Sequence, residues 1–235
     1  MCTVSFIALA DGFVITSNRD EQRVRAAMLP VEEVLENNSI FYPKDPKSGG
    51  TWFVSRNDGT VLVLLNGADE KHNPSPPYTR SRGLVVLEMI SNGDPQQFWN
   101  RIHLANVEPF TMVLFQGQSL VQLRWNGAER SLQKLALEQR HFWSSVTLYD
   151  AAMRKNREQW FKDFLDSNKE ITPDKIFSFH ENTHTENRDH GLVIDRKNNL
   201  KTLSITQTVV RNKNMTMVYK DLISGEIATT AIQLL

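Results

Sequence analysis

The chain has one cysteine, Cys2, in 235 residues. A lone cysteine excludes an internal disulfide and any multi-cysteine metal site, and it fits a reducing compartment. Net charge is missing too, because Lys+Arg 27 is balanced by Asp+Glu 27. A dedicated nucleic-acid binder or a polybasic membrane sensor would carry a basic excess, so neither class is expected. Long hydrophobic runs are also lacking. The longest aliphatic stretch is Val61 to Leu65, far short of the roughly 20 residues that span a bilayer as a helix. Met1-Cys2-Thr3-Val4-Ser5-Phe6 has neither the basic nor the long apolar segment of a secretory signal, so a cytoplasmic location is expected. There is no phosphate-cradling glycine loop, nucleotide fingerprint, internal repeat or low-complexity tract. No linker divides the sequence, and residues 1–235 read as a single domain.

What is present is a core-forming composition, 40% hydrophobic, arranged as strands at both ends with helices between. Thr3 to Leu9 and Gly12 to Ser17 are apolar runs joined by a turn at Ala10-Asp11-Gly12, which predicts a hairpin. Thr51 to Arg56 and Thr60 to Asn66 form a second hairpin across Asn57-Asp58-Gly59. The nearly unbroken apolar character of its second strand calls for a sheet covered on both faces. Leu84, Leu87 and Ile90 recur at helical spacing within Ser81 to Ser91, and Asp94-Pro95 opens a second helix as cap and first-turn proline. Strands are predicted at Thr111 to Gln116, Leu120 to Trp125 and Ser131 to Leu137. Asp150 caps a long amphipathic helix reaching about Ser167, Thr172-Pro173 starts a short one, and strand-like runs return from Gly191. The pattern is α+β in layers.

Several groups of residues carry candidate chemistry. Trimming of Met1 is expected because residue 2 is small, and Cys2 would then hold a thiol and a free α-amine on one carbon. The amine, with a reference pKa of about 8, can take the thiol proton and leave a nucleophile. The plain alternative is a small hydrophobe. Asn18-Arg19-Asp20-Glu21 follows the second strand, and a hairpin would return Arg19 and Asp20 to Cys2. There a guanidinium favours thiolate and a carboxylate orients the ammonium; otherwise the cluster is a solvated strand-end loop. Gly49-Gly50-Thr51-Trp52 offers close backbone approach and, in Trp52, an apolar pocket wall. Asn66 ends an apolar strand and can donate to a developing oxyanion, or Asn66-Gly67 is an ordinary turn. His180, His184 and His190 lie in a polar segment read as a solvated loop, without a metal-site arrangement.

Met1-Cys2, Asn18-Arg19-Asp20-Glu21, Gly49-Gly50-Thr51-Trp52 and Arg80-Ser81-Arg82-Gly83, in that order, resemble the NRDE family, which includes the transport-and-Golgi-organisation proteins. The N-terminal pattern is similar to that of cysteine N-terminal-nucleophile hydrolases such as penicillin V acylases and bile-salt hydrolases. The resemblance implies a four-layer αββα sandwich, two antiparallel sheets between helical layers. It also implies Cys2 as nucleophile, Arg19 and Asp20 as the residues holding its thiolate and amine, and Asn66 at the oxyanion site. Those hydrolases usually have one residue more between the arginine and the aspartate. They also carry an asparagine segment before the long helix, where this chain reads Thr147-Leu148-Tyr149-Asp150.

The function expected from this is hydrolysis of non-peptide C–N bonds through an acyl-enzyme on Cys2, with no metal and no organic cofactor. The alternative is a non-catalytic haem or lipid carrier using the same cleft. The expected partner is a small amide or apolar ligand, with no nucleic acid and no transmembrane segment; the pattern specifies no oligomeric state.

Overall fold

The computed structural model describes residues 3–235. The first hairpin pairs β1 (Thr3–Leu9) with β2 (Gly12–Gln22), in register from Leu9 against Gly12 to Thr3 against Asn18. Next come β3 (Met28–Val34), β4 (Ser39–Lys44), β5 (Phe53–Arg56) and β6 (Val61–Asn66). Helices α1 (Arg82–Ser91) and α2 (Pro95–Phe98) precede β7 (Phe110–Gln116), β8 (Ser119–Trp125), β9 (Arg130–Leu135) and β10 (His141–Ser144). Helices α3 (Ala151–Ser167) and α4 (Pro173–Asn182) follow, and β11 (Leu200–Arg211), β12 (Asn214–Asp221) and β13 (Ile227–Gln233) close the chain.

Among the described residues the strands make two antiparallel sheets. One has the order β10-β1-β2-β11-β12-β13, the other β3-β4-β5-β6-β7-β8-β9. Their inner faces meet in one core that joins Val4, Phe6, Phe13 and Ile15 of the first sheet to Val61, Val63, Val113 and Phe115 of the second. The outer face of the second sheet packs on Val86, Met89 and Ile90 of α1. On the opposite outer face, Ile7 and Val14 meet Phe161 of α3 and Ile176 and Phe179 of α4. These are the four expected layers. The caps read from sequence at Asp94 and Asp150 are in place, and Ser81 and Thr172 cap the other two helices; each accepts a first-turn backbone N–H.

Three elements differ from the sequence reading. Asn18-Arg19-Asp20-Glu21 is not a loop after the second strand; β2 runs through it, because β11 pairs Lys201 with Glu21 and Thr202 with Asp20. The strands β3, β4 and β10 were not anticipated. β3 lies at a sheet edge and is largely exposed, so it lacks strict apolar alternation. His180 does not belong to a solvated loop either. It sits in the last turn of α4 and is fully buried.

Candidate functional site

The site is built where β1 and β2 open away from their turn. Thr3 is flanked by Asn18 of β2 on one side and Ser144 of β10 on the other. Cys2 lies outside the described residues. Beyond Asn18, the strand carries Arg19 and Asp20, each only 2% exposed. Successive side chains of a strand point to opposite faces, so these two charges enter different surroundings.

Arg19 faces the second sheet. Its guanidinium lies over the Trp52 ring with the central carbon 4.3 Å from the centroid, a cation–π contact. One amino group donates to Asp45 Oδ2 at 3.2 Å, and the other donates to the carbonyl of Arg25. Arg25 also pairs with Asp45 and with Glu21. Burial lowers the Arg19 pKa from its usual value, while Asp45 and Glu21 push the other way. Trp52 is therefore wall and support at once, its face covered by Arg19.

Asp20 faces the helical layer. It accepts from Tyr149 Oη at 2.7 Å and from Thr202 Oγ1. The Tyr149 ring is covered by the Arg157 guanidinium at 3.5 Å and by Arg196 at 5.2 Å. Arg157 is fully buried, donates to Thr3 Oγ1 at 2.7 Å, and donates also to the carbonyls of His190 and Gly191. The segment Thr147-Leu148-Tyr149-Asp150 thus supplies a tyrosine that anchors Asp20. Asp150 accepts from Met153 N at 2.8 Å as a cap. Neither Tyr149 nor Arg157 was picked out as functional in the sequence, since nothing local marks a tyrosine or a mid-helix arginine as buried.

A third network lies beneath β1. Asn18 donates its amide to the carbonyls of His180 and Leu192, so its side-chain oxygen is left as acceptor. That oxygen meets His180 Nδ1, which must carry the proton, and His180 Nε2 then accepts from Ser5 Oγ at 2.7 Å. Burial and the nearby Arg157 push the His180 pKa down to about 3. The imidazole is a neutral clamp between α4 and the first hairpin.

Asn66 closes the site from the second sheet. Gly67, with φ +84°, turns the chain out of β6, and a Cβ there would meet Val146 and Thr147 at 2.4 and 2.8 Å. Ser145 Oγ donates to the Asn66 carbonyl at 2.9 Å. The Asn66 side-chain amide has no hydrogen-bond partner among the described residues and lines a cleft of about 440 Å³ with Arg19 and Trp52. The glycine motifs shape the same cleft: a Cβ on Gly50 would lie 2.4 Å from the Gly83 backbone, and Thr51 N donates to Gly83 O at 3.2 Å. Thus Arg19, Trp52, Asn66 and the Arg80-Ser81-Arg82-Gly83 segment share one cleft. Asp20 stands behind it, on the other face of β2. Among the described residues no group of three or more His, Cys, Asp or Glu side chains could hold a metal ion. No helix among them is long and apolar enough to cross a membrane.

A family model described as Transport and Golgi organisation 2 matches residues 1–221. No curated protein matches the chain. Among solved structures, an N-acylethanolamine-hydrolyzing acid amidase orthologue from Caenorhabditis elegans superposes with a TM-score of 0.61 at 11% identity, covering 88% of this chain and 92% of that one. A conjugated bile acid hydrolase from Clostridium perfringens superposes with a TM-score of 0.56 at 8% identity, covering 97% and 92%. A second structure of that hydrolase gives 0.54 at 8%, covering 98% and 92%. At these identities the likeness is one of fold: the two sheets and their helical layers are those of N-terminal-nucleophile hydrolases.

Proposed function

The chain belongs to the Transport and Golgi organisation 2 family, and we propose that it is a hydrolase of non-peptide amide bonds that works through an acyl-enzyme on Cys2. The observation that carries this reading is the register of the first hairpin. Thr3, which follows Cys2 in the sequence, lies opposite Asn18, and Arg19 and Asp20 follow Asn18 directly in β2; this supports a site at the open end of the hairpin.

The chemistry then runs as follows. With Met1 removed, the α-amine of Cys2 takes the thiol proton. The thiolate attacks the amide carbon, and Asn66 donates to the oxygen as it becomes anionic. The C–N bond breaks and the amine leaves with the proton. Water adds to the thioester, releasing the carboxylic acid and restoring the thiol. Arg19 favours the thiolate, and Asp20, held by Tyr149 and Thr202, orients the ammonium.

The lining of the cleft favours this over carriage of haem or lipid. Apart from Trp52, Leu64 and Tyr78, the walls are charged, amide, hydroxyl-bearing or backbone, whereas a carrier of apolar ligands needs a mostly apolar cavity. The test is kinetic, on a panel of acyl amides. Cys2→Ala should abolish turnover and Cys2→Ser should keep a small part. Asn66→Ala should lower kcat by about 100-fold, as loss of an oxyanion donor does. Arg19→Ala should move thiol alkylation toward higher pH. Turnover by Cys2→Ala equal to wild type ends the proposal.

A further inference from the structure

Two open sheets have four edge strands, and an edge strand presents a row of backbone N–H and C=O groups with no neighbouring strand. Here the edges are β10 and β13 in the first sheet and β3 and β9 in the second. Three of them carry features that keep an edge from pairing with another chain. β3 contains Pro30, Glu32 and Glu33 and shifts register between Met28 and Pro30. β9 carries Arg130 and Lys134. β10 is four residues long. β13 has none of these features. Ile227–Gln233 is seven residues without a charge, a proline or a glycine, and it pairs with β12 over its whole length without a bulge. Among the described residues no hydrogen bond other than those to β12 reaches its backbone.

Exposed apolar surface gathers on the same side. β13 and β3 touch at one edge of the sandwich. Nine large hydrophobic side chains are exposed among the described residues. Six of them, Val24, Met28, Leu29, Val34, Ile223 and Ile227, belong to these two strands or to the segments leading into them. Scattered singly, such residues need no explanation; gathered beside an unprotected edge, they mark an interaction surface.

The charges beside the strand indicate its occupant. Glu226 stands just before β13, and Lys213 stands next to Asn214, the residue that pairs with Gln233 at the other end. The neighbouring Arg211 and Lys220 pair within the chain, with Asp11 and Glu181, whereas Glu226 and Lys213 have no ion-pair partner among the described residues. A strand set antiparallel against a copy of itself brings the start of each to the end of the other. The Glu226 end then meets the Lys213 end twice, once on either side of a two-fold axis. The strand itself, being uncharged, sets no like charges opposite one another.

We propose that β13 pairs antiparallel with the β13 of a second copy of this chain, joining two six-stranded sheets into one. Centred on Thr230, the middle residue, the pairing sets Thr230 opposite the partner's Thr230 and Ala228 opposite the partner's Ile232. A stable dimer draws about 800 Å² from each partner; one strand edge falls short of that, and the apolar side chains beside it supply the rest. This pairing is independent of the hydrolytic reading, since no residue lining the cleft of about 440 Å³ belongs to β12 or β13.

The test is sedimentation equilibrium of the full chain from low to high micromolar concentration, in reducing buffer so that Cys2 cannot cross-link copies. Wild type should reach twice the chain mass within that range. Thr229→Lys combined with Ala231→Lys, both at exposed positions, blunts the edge and should leave a monomer whose circular dichroism matches wild type. Glu226→Lys and Lys213→Glu should each weaken the dimer several-fold, and the two together should restore it. A monomeric wild type, a dimer that survives the double lysine change, or a charge swap that restores nothing would overturn the proposal. Should the double lysine chain fail to fold, the charge swaps decide alone.

Discussion

The two ends of the β1–β2 hairpin lie in the same sandwich yet are built from opposite materials. At the turn end the buried residues are Phe6, Ile7, Phe13, Val14 and Ile15. Phe6, Phe13 and Phe115 stack there, with centroids 4.0 to 6.0 Å apart, beside a cavity of about 580 Å³. At the open end, equally buried, stand Thr3, Ser17, Asn18, Arg19 and Asp20. Apolar packing stabilises the first end at little risk. Buried charge needs a partner for each group and is seldom a net gain in stability. Asp45, Trp52, Tyr149 and Thr202 are drawn from separate parts of the chain to satisfy two residues. The turn end is an argument for stability, and the open end is an argument for function.

Substitutions at the two ends should therefore fail differently. Phe13→Ala removes a ring from the stacked trio and should cost about 3 to 5 kcal/mol of stability, read by urea unfolding, with the Cys2 alkylation rate unchanged in the folded protein. A change in that rate would mean the two ends are coupled. Arg157→Met strips donors from Thr3 Oγ1 and from the carbonyls of His190 and the buried Gly191, at a cost of about 3 kcal/mol, and it should alter Cys2 reactivity as well. A stable, unaltered variant would remove Arg157 from the account.

His180 gives the pH dependence. Its pKa falls from 6.5 to about 3 on folding, so between those values the unfolded chain binds a proton that the folded chain does not. Stability due to this group is complete above about pH 6.5 and declines as the pH falls toward 3, by up to about 1.4 kcal/mol per unit. Urea unfolding of wild type and His180→Gln from pH 4.5 to 7 should show the slope only in wild type. Tyr149→Phe is the smallest of the set. It removes one of the hydrogen bonds to Asp20 and should lower stability by about 1 to 2 kcal/mol, while the Cys2 alkylation profile shifts in pH. An unshifted profile would make Tyr149 a packing residue alone.

Sequence reading reached the local features and stopped at the nonlocal ones. The hairpins at Asp11-Gly12 and Asn57-Asp58-Gly59 and the caps Asp94 and Asp150 are specified by neighbours within a few residues. The second half of β2 is specified by β11, 182 positions away in the Thr202–Asp20 hydrogen bond, so its polar letters resemble a loop. His180 was misread for a related reason. Asn182 and Thr183 signal a helix end, but the partners that bury the ring are Ser5 and Asn18. Arg19, Trp52 and Asn66 do meet at one cleft. The charged chemistry around them, Asp45, Arg25 and Glu108, had no signal in the linear pattern.

The most direct test of the central claim compares two proteins that differ only ahead of Cys2: one trimmed to begin at Cys2, the other retaining an extra residue. Intact-mass spectrometry and turnover of an acyl-amide panel are read on both. The trimmed protein should turn over and hold one acyl group on the peptide beginning at Cys2. The extended protein, whose α-amine has become an amide, should do neither. Equal turnover by the two would contradict the assignment of the Cys2 amine as the base.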